Sequence, residues 1–266
     1  MNKKLGFIGC GKMAQAILEG VLASQRVKPE NIKVSAKTEA TLKKARTIFG
    51  VEATKKNEEV ASWSDLLIIA VKPGLHKEVI EEIKEVISKD TIIITIAAGI
   101  TLTELEREFG KRIKAVRTMP NTPSFVREGM SVLSPNPLIQ DDDLNDVVSI
   151  FQSFGKVELV EEELMDSIPA ISGSSPAYVY MFIEALADGG VKAGIPRDQA
   201  YRLAAQAVLG AAKMVLETGL HPGELKDQVC TPGGATIEAV SSLELHGFRG
   251  AILQAMESCL NKTKTL

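Results

Sequence analysis

The stretch LGFIGCGKMA, residues 5–14, decides the fold of the N-terminal half of this chain. A short apolar run ends at Ile8, and the pattern G-x-G-x-x-A begins at Gly9. From Ala14 to Leu22, apolar residues recur at spacings of three and four, as on one face of a helix. A strand, a glycine turn and a helix in this order are typical of a unit that binds a dinucleotide. The free N–H groups at the start of such a helix favour a pyrophosphate.

Further apolar runs follow this unit and alternate with helical patterns. They predict strands at 32–34, 51–53, 66–71, 91–96, 113–116, 130–133 and 157–160. The continuous run at 66–71 is typical of a strand that is buried on both faces of a parallel sheet. Strands separated by helices indicate βαβ units, so we predict an α/β fold with an N-terminal doubly wound parallel sheet of the Rossmann type.

The second half of the chain changes character and contains no further strand pattern. We place a boundary near residue 160, with an NAD(P)-binding domain at 1–160 and an all-α domain at 161–266. The predicted helix 197–218 carries many small residues on one side, which let another helix approach closely. A small helical domain with this much apolar surface often completes its core with a second copy. We therefore predict a dimerisation domain, with a self-contained bundle as the alternative.

Composition excludes several classes of function. With 31 Lys+Arg against 34 Asp+Glu and 5% aromatic residues, the chain does not resemble a nucleic-acid platform, which is usually basic. The three cysteines are far apart and the three histidines are isolated, so we expect no disulfide framework, no metal site and a reducing, cytoplasmic location. No apolar run approaches the roughly 18 residues of a membrane helix, so we expect no membrane partner.

The residues after the second predicted strand indicate which nucleotide is used. An NAD enzyme usually places Asp or Glu there to bind the ribose 2′-hydroxyl. This chain has SAKT at 35–38, and its first carboxylate comes at Glu39. A lysine and two hydroxyls suit a 2′-phosphate better, so we predict a preference for NADPH with Lys37 on the phosphate side. A solvated surface lysine is the alternative.

Two stretches of the second half make a specific resemblance possible. They are SGSSPAY at 172–178 and VCTPGGAT at 229–236. Together with FIGCGKMAQA at 7–16, AVKP at 70–73 and MPNTP at 119–123, they closely resemble the pyrroline-5-carboxylate reductase family. That family reduces 1-pyrroline-5-carboxylate to L-proline with NAD(P)H, the last step of proline biosynthesis. It combines an N-terminal Rossmann domain with a C-terminal helical domain that interlocks two subunits.

The resemblance implies roles for individual residues. It places the cofactor, NADPH in preference to NADH, along Ile8, Gly9, Cys10, Gly11, Lys12, Met13, Lys37, Asn57, Ala70, Val71, Lys72, Pro73, Ile96, Ala97, Ala98, Met119 and Asn121. It places the substrate at Glu162, Gly233, Gly234, Ala235 and Thr236. The loop N–H groups would hold the substrate carboxylate, and the Thr236 hydroxyl would meet the ring nitrogen as the catalytic group. It also implies at least a homodimer, with rings of dimers as a larger assembly.

The chemistry of an imine reduction fits these residues. A protonated C=N accepts hydride readily, so the protein mainly places the carbon at roughly 3–3.5 Å from the nicotinamide, and the cofactor carries the hydride. One alternative is a 3-hydroxyacid dehydrogenase, which uses a lysine early in its helical domain. Here, no lysine follows Gly173 until Lys192. The other alternative is a non-catalytic NADPH-binding regulator, which the anion-holding loop at 231–236 disfavours.

Overall fold

The N-terminal part of the protein is built on one eight-stranded sheet. A computed structural model describes residues 2–263. The strands are β1 (Leu5–Ile8), β2 (Ile32–Ser35), β3 (Glu52–Thr54), β4 (Leu66–Ile69), β5 (Ile92–Thr95), β6 (Lys114–Met119), β7 (Gly129–Pro135) and β8 (Gly155–Leu159). The first six run parallel in the order β3-β2-β1-β4-β5-β6. This order defines a doubly wound Rossmann sheet, so the predicted fold class is confirmed.

The last two strands run against the other six. β7 pairs antiparallel with β6, and β8 pairs parallel with β7. The link from β6 to β7 contains only a short 3-10 helix, Thr122–Val126, whereas a parallel crossover needs about a dozen residues. The link from β7 to β8 passes through a full helix, which restores parallel pairing. The sheet is therefore mixed at one side, which differs from the purely parallel sheet expected from the sequence.

Helices cover both faces of this sheet. They are α1 (Lys12–Ala23), α2 (Glu39–Ile48), α3 (Asn57–Ala61), α4 (His76–Ile83), α5 (Leu102–Phe109) and α6 (Asp141–Phe151). One apolar cluster contains α1, α2 and α6, and the other contains α3, α4 and α5. In β4, Leu66 and Ile68 belong to the first cluster, and Leu67 and Ile69 to the second. The prediction that this strand is buried on both faces is confirmed.

Both outer strands of the sheet carry exposed charge. β3 has three residues and exposes Glu52, whose carboxylate lies 2.9 Å from the Lys33 ammonium. β8 exposes Lys156 and Glu158. Charges on short edge strands oppose pairing with the strands of another sheet.

A second, all-helical unit follows the sheet. One compact unit runs to Gly173 and takes up the chain again from Leu260, and the second unit is Ser174–Cys259. The boundary expected near residue 160 falls between β8 and a 3-10 helix at Glu162–Ser167. The C-terminal helices are α7 (Ser175–Lys192), α8 (Arg197–Thr218), α9 (Pro222–Val229), α10 (Ala235–Leu245) and α11 (Phe248–Thr263). None of the helices in residues 2–263 is both long and apolar enough to span a bilayer.

The helical unit buries few of its own apolar side chains. The buried hydrophobic residues within it are alanines, Ala187, Ala200 and Ala204. Large apolar side chains point outward instead: Met181 is 69% exposed and Leu216 is 76% exposed. A single copy of this unit therefore leaves a wide apolar surface uncovered, as expected for a helical domain that packs against a partner.

Candidate functional site

The glycine turn lies where the strand order of the sheet reverses. β1 and β4 are neighbours with Ile8 opposite Ile69, and the chain leaves them in opposite directions along the sheet. Ligands of doubly wound sheets bind at this point, beyond the carboxyl ends of the strands. Gly9 has φ +91°, and a Cβ there would lie 2.8 Å from the carbonyl oxygen of Ala70. Only glycine fits this turn without displacing the end of β4.

The start of α1 is arranged to accept an anion. In the described chain, no side chain caps this end, and the first turn, KMA, holds no carboxylate. A Cβ on Gly11 would meet no atom within 4 Å, so the backbone stands in open space. Unpaired N–H groups at a helix N-terminus bind phosphate well. Residues 8–13, which were predicted to hold the pyrophosphate, thus form a strand end, a tight turn and an open helix start.

Cys10, between the two glycines, is a packing residue. Its side chain is buried, and burial raises the pKa of the thiol to about 11. The backbone carbonyl of Cys10 accepts a hydrogen bond of 2.8 Å from the Gln15 amide, whose oxygen accepts one of 2.5 Å from Lys44. A thiol with a raised pKa is a poor nucleophile at neutral pH. These contacts fix the backbone of the turn and give the sulfur no chemical task.

The sequence suggested three groups for a phosphate at the end of β2, and one of them is buried in the fold. Ser35 is fully buried, and its hydroxyl donates to Asn57 Oδ1 at 2.6 Å. The Thr38 hydroxyl caps α2 by accepting from the N–H of Thr41 at 3.3 Å. The Ser35 hydroxyl therefore serves the fold and does not face a 2′-phosphate, which corrects the expectation for that residue, whereas the exposed Thr38 hydroxyl stays a prediction. Lys37 remains, with a side chain that is 70% exposed.

Two carboxylates of α4 lie beside these groups. Glu78 Oε1 is 3.2 Å from Lys37 Nζ, and Glu82 Oε2 accepts a hydrogen bond of 2.6 Å from Asn57 Nδ2. Sequence reasoning missed both glutamates. Their signal is a spacing of four residues on a helix, which puts them on one face. Asn57 is thus held at its oxygen by Ser35 and at its nitrogen by Glu82.

The carboxyl ends of β4, β5 and β6 lie side by side, because these strands are neighbours in the sheet. The predicted cofactor segments 70–73 and 96–98 leave β4 and β5 at this edge. The Thr95 hydroxyl accepts from the N–H of Ala97 at 3.2 Å, and Thr118 donates to the Thr95 carbonyl at 2.9 Å. These bonds fix the start of the second segment. Met119, the last residue of β6, is buried at the same edge.

Asn121 has a structural role in the loop after β6. Its oxygen accepts from the N–H of Met130 at 2.9 Å, and its nitrogen donates to the carbonyl of Ser172 at 2.9 Å. The side chain is buried and joins β7 to the π-helical turn Pro169–Gly173. Within the described part of the chain, each end of the amide makes one of its two possible hydrogen bonds, so a role near the nicotinamide stays a prediction.

Glu162 lies at the start of the 3-10 helix that follows β8. Its Oε1 accepts a 2.6 Å hydrogen bond from the N–H of Leu102 at the start of α5 and lies 3.7 Å from Arg117 Nη1. Arg117 is buried and also donates to Asp166. In this structure the Glu162 carboxylate therefore caps a helix and balances a buried cation. Its predicted contact with substrate has no direct support from these bonds.

The loop proposed for substrate lies in the helical unit. Gly233 has φ +67°, and a Cβ on Gly234 would lie 2.3 Å from the Thr231 hydroxyl oxygen. Gly234 is the N-cap of α10, whose first N–H groups no side chain of residues 2–263 caps. Ala235 and Thr236 are the first two helical residues. Within the same residues, the half-buried Thr236 hydroxyl makes no hydrogen bond. The loop thus presents open N–H groups and a hydroxyl together.

Known proteins resemble this chain over its whole length. Residues 162–266 match the family described as pyrroline-5-carboxylate reductase dimerisation, and residues 4–99 match NADP oxidoreductase, coenzyme F420-dependent. The pyrroline-5-carboxylate reductase of Escherichia coli (strain K12) is 49% identical, covering 100% of this chain and 99% of the relative. The chain belongs to the pyrroline-5-carboxylate reductase family. Membership confirms the predicted activity over both alternatives.

Other pyrroline-5-carboxylate reductases agree with this assignment. The enzyme of Glycine max is 42% identical over 98% of this chain and 95% of its own length. A solved reductase from Coxiella burnetii superposes with a TM-score of 0.93 at 35% identity, covering 100% of this chain and 98% of that one. A Plasmodium falciparum pyrroline carboxylate reductase solved with NADP bound superposes with a TM-score of 0.88 at 35% identity, covering 99% of this chain and 98% of that one.

The histidines of this reductase differ in their surroundings. His221 caps α9 by accepting from the N–H of Gly223 at 3.0 Å, and His246 lies at the end of α10. His76, at the start of α4, is buried, and burial lowers its pKa to about 4. Neither of its ring nitrogens has a hydrogen-bond partner in the described residues. Nowhere in 2–263 do three or more His, Cys, Asp or Glu side chains gather as a metal site.

Proposed function

We propose that this chain reduces 1-pyrroline-5-carboxylate to L-proline with NADPH, working as a homodimer in the cytoplasm. The observation that carries the proposal is the loop 231–236, where the open start of α10 stands beside a Thr236 hydroxyl that makes no hydrogen bond within residues 2–263. A small carboxylate with a neighbouring ring nitrogen matches that pair of features. Family membership over the full chain supports the same reaction.

The cofactor would lie along the carboxyl edge of the sheet. The pyrophosphate would meet the N–H groups of residues 9–13, where Gly9 and Gly11 leave the backbone accessible. The segments 70–73 and 96–98, with Met119 and Asn121, would line the path toward the nicotinamide. NADPH supplies the hydride when it is bound. Lys37 would face the 2′-phosphate, which favours NADPH, and NADH would serve as a second cofactor because the remaining contacts do not involve that phosphate.

The substrate would be held by its carboxylate at the start of α10. The N–H groups of Ala235 and Thr236, together with the positive end of the helix, suit that charge. Hydride addition to the protonated C=N carbon moves the π electrons to nitrogen and gives a neutral amine, so no protein acid is consumed. We propose that the Thr236 hydroxyl orients this nitrogen and donates to its developing lone pair. Glu162 would contribute through the fold, since its carboxylate holds Leu102 and Arg117.

A second copy of the chain would cover the apolar surface of the helical unit. α7 and α11 enclose a cavity of about 530 Å³ lined by Tyr178, Val179, Met181, Phe182, Phe248 and Ile252. A groove this apolar is filled by apolar side chains in a stable assembly. We propose a homodimer through these helices, and a ring of dimers stays a further prediction.

The test is NADPH oxidation with pyrroline-5-carboxylate, compared between wild type, Thr236→Val and Thr236→Ser. We expect Thr236→Val to lower kcat/KM by about 100- to 1000-fold, the range for losing one aligned donor, and Thr236→Ser to retain most activity. The Kd for NADPH should not change in either variant. An unchanged kcat/KM in Thr236→Val would remove the hydroxyl from the mechanism. No turnover by the wild type, or turnover of a 3-hydroxyacid instead, would overturn the reaction.

A further inference from the structure

A carboxylate faces the lysine that we assign to the 2′-phosphate. Glu78 comes from the first turn of α4, and its Oε1 lies 3.2 Å from Lys37 Nζ. The two residues are 41 positions apart in sequence, so the fold brings them together. Their side chains are 70% and 56% exposed, so both can reorient in solvent. Without cofactor, the positive charge at the end of β2 is therefore already balanced.

The second carboxylate on this face of α4 is held more firmly. Glu82 accepts a hydrogen bond of 2.6 Å from Asn57, whose oxygen accepts from the buried Ser35. Glu78 has Lys37 as its one bonded partner among residues 2–263. Of the two glutamates, Glu78 is thus the one that can leave its partner when a ligand arrives. Glu82 stays in a network tied to the sheet.

A 2′-phosphate would compete with Glu78 for Lys37. The phosphate carries about two negative charges at neutral pH, and it would approach a lysine whose partner is a carboxylate. NADH has a hydroxyl at the same place and leaves the ion pair intact. We propose that Glu78 sets the NADPH to NADH preference by neutralising Lys37, so that NADPH binds less tightly than the lysine alone would allow. This inference rests on the proposed function, which places the 2′-phosphate at Lys37.

The usual device for choosing NADH is a carboxylate at the end of β2. Here that position carries lysine, and α4 brings the carboxylate from another strand connection. The helix follows the segment 70–73, which is assigned to the cofactor, so Glu78 stands on the same edge of the sheet. The carboxylate of Glu78 therefore pairs with Lys37, whereas in an NADH enzyme a carboxylate would take the place of that lysine. Glu78 would act as a positioning and charge-balancing residue, without touching the reacting atoms.

The experiment compares Glu78→Gln with Glu81→Gln. Glu81 lies on the same helix and pairs with Lys84 at 2.8 Å, so its substitution changes net charge equally without affecting Lys37. NADPH and NADH are each titrated by fluorescence to obtain Kd, and kcat and KM are measured for each. We expect Glu78→Gln to tighten NADPH binding about two- to fivefold, the range for one exposed ion pair, with little change for NADH or in kcat. The gain should shrink in high salt.

Lys37→Ala separates this inference from the proposed function. We expect Lys37→Ala to weaken NADPH binding and to leave NADH binding unchanged. In the double variant, the gain in NADPH affinity caused by Glu78→Gln should be smaller than in the single variant. If Lys37→Ala lowers the NADPH preference but Glu78→Gln does not raise it, the role of Glu78 is overturned and that of Lys37 stands. If Lys37→Ala leaves the preference unchanged, the placement of the 2′-phosphate fails as well. An equal gain in Glu81→Gln would show a general charge effect and overturn the inference.

Discussion

His76 should make the stability of this protein depend on pH between 4 and 6.5. The side chain is 3% exposed, and burial lowers its pKa from 6.5 to about 4. His76 binds a proton at a higher pH in the unfolded chain than in the folded chain. The neutral ring therefore makes its full contribution to the free energy of unfolding above pH 6.5. It is then lost as the pH falls toward 4. At about 1.4 kcal/mol per pKa unit, the loss reaches about 3 kcal/mol at the lower limit and about 2 kcal/mol at pH 5.

The assay is urea unfolding of wild type and His76→Leu at pH 7.5 and pH 5, at one fixed protein concentration. Other groups titrate in both proteins, so their difference isolates His76. We expect the free energy of unfolding of the variant to gain about 2 kcal/mol relative to wild type at the lower pH. His246→Leu, which removes an exposed histidine, serves as the control. If the two proteins lose stability in parallel, the buried ring is not the titrating group.

Three further outcomes are expected. Gly9→Ala should lower the free energy of unfolding by about 1–2 kcal/mol, because φ +91° strains an L-residue and the new Cβ would meet Ala70. Gly11→Ala, in contrast, should weaken NADPH binding with no change in Tm. Equal losses of Tm in the two variants, measured by calorimetry, would contradict this difference. Iodoacetamide at pH 8 should alkylate Cys230 well before Cys10, because burial raises the pKa of Cys10 to about 11; comparable rates by mass spectrometry would argue against it. Met181→Glu, at a 69% exposed position of α7, should shift sedimentation from dimer to monomer, and an unchanged dimer would exclude α7 from the interface.

The sequence predicts the first six strands because each has a local signal. The glycine turn identifies the first βαβ unit, and the run at 66–71 identifies a strand buried on both faces. The direction of β7 has no such signal in its composition. It follows from the short connection after β6, which cannot cross the sheet, and connection length becomes decisive only once the ends of both strands are known.

The sequence predicts which segments form the candidate site. It predicts much less well which partners their side chains bind. Lys37 lies in the loop after β2 and Asn57 opens α3, but Ser35 bonds Asn57 from 22 positions away, which leaves the Ser35 hydroxyl unavailable. Glu78 and Glu82 escaped notice because a glutamate on a helix surface is usually solvated, and only the packing of α4 brings them to β2. His76 looked isolated in the sequence, and its burial depends on the same packing.

The charged edges of the sheet limit how copies of this protein can aggregate. β3 is too short to template another strand, and β8 carries the exposed charges of Lys156 and Glu158 along its edge. Growth of the sheet from molecule to molecule is therefore disfavoured at both edges. The homodimer proposed through the helices would instead cover its own apolar surface in a closed pair. A closed assembly of this kind would keep a chain with so much apolar surface from forming fibres.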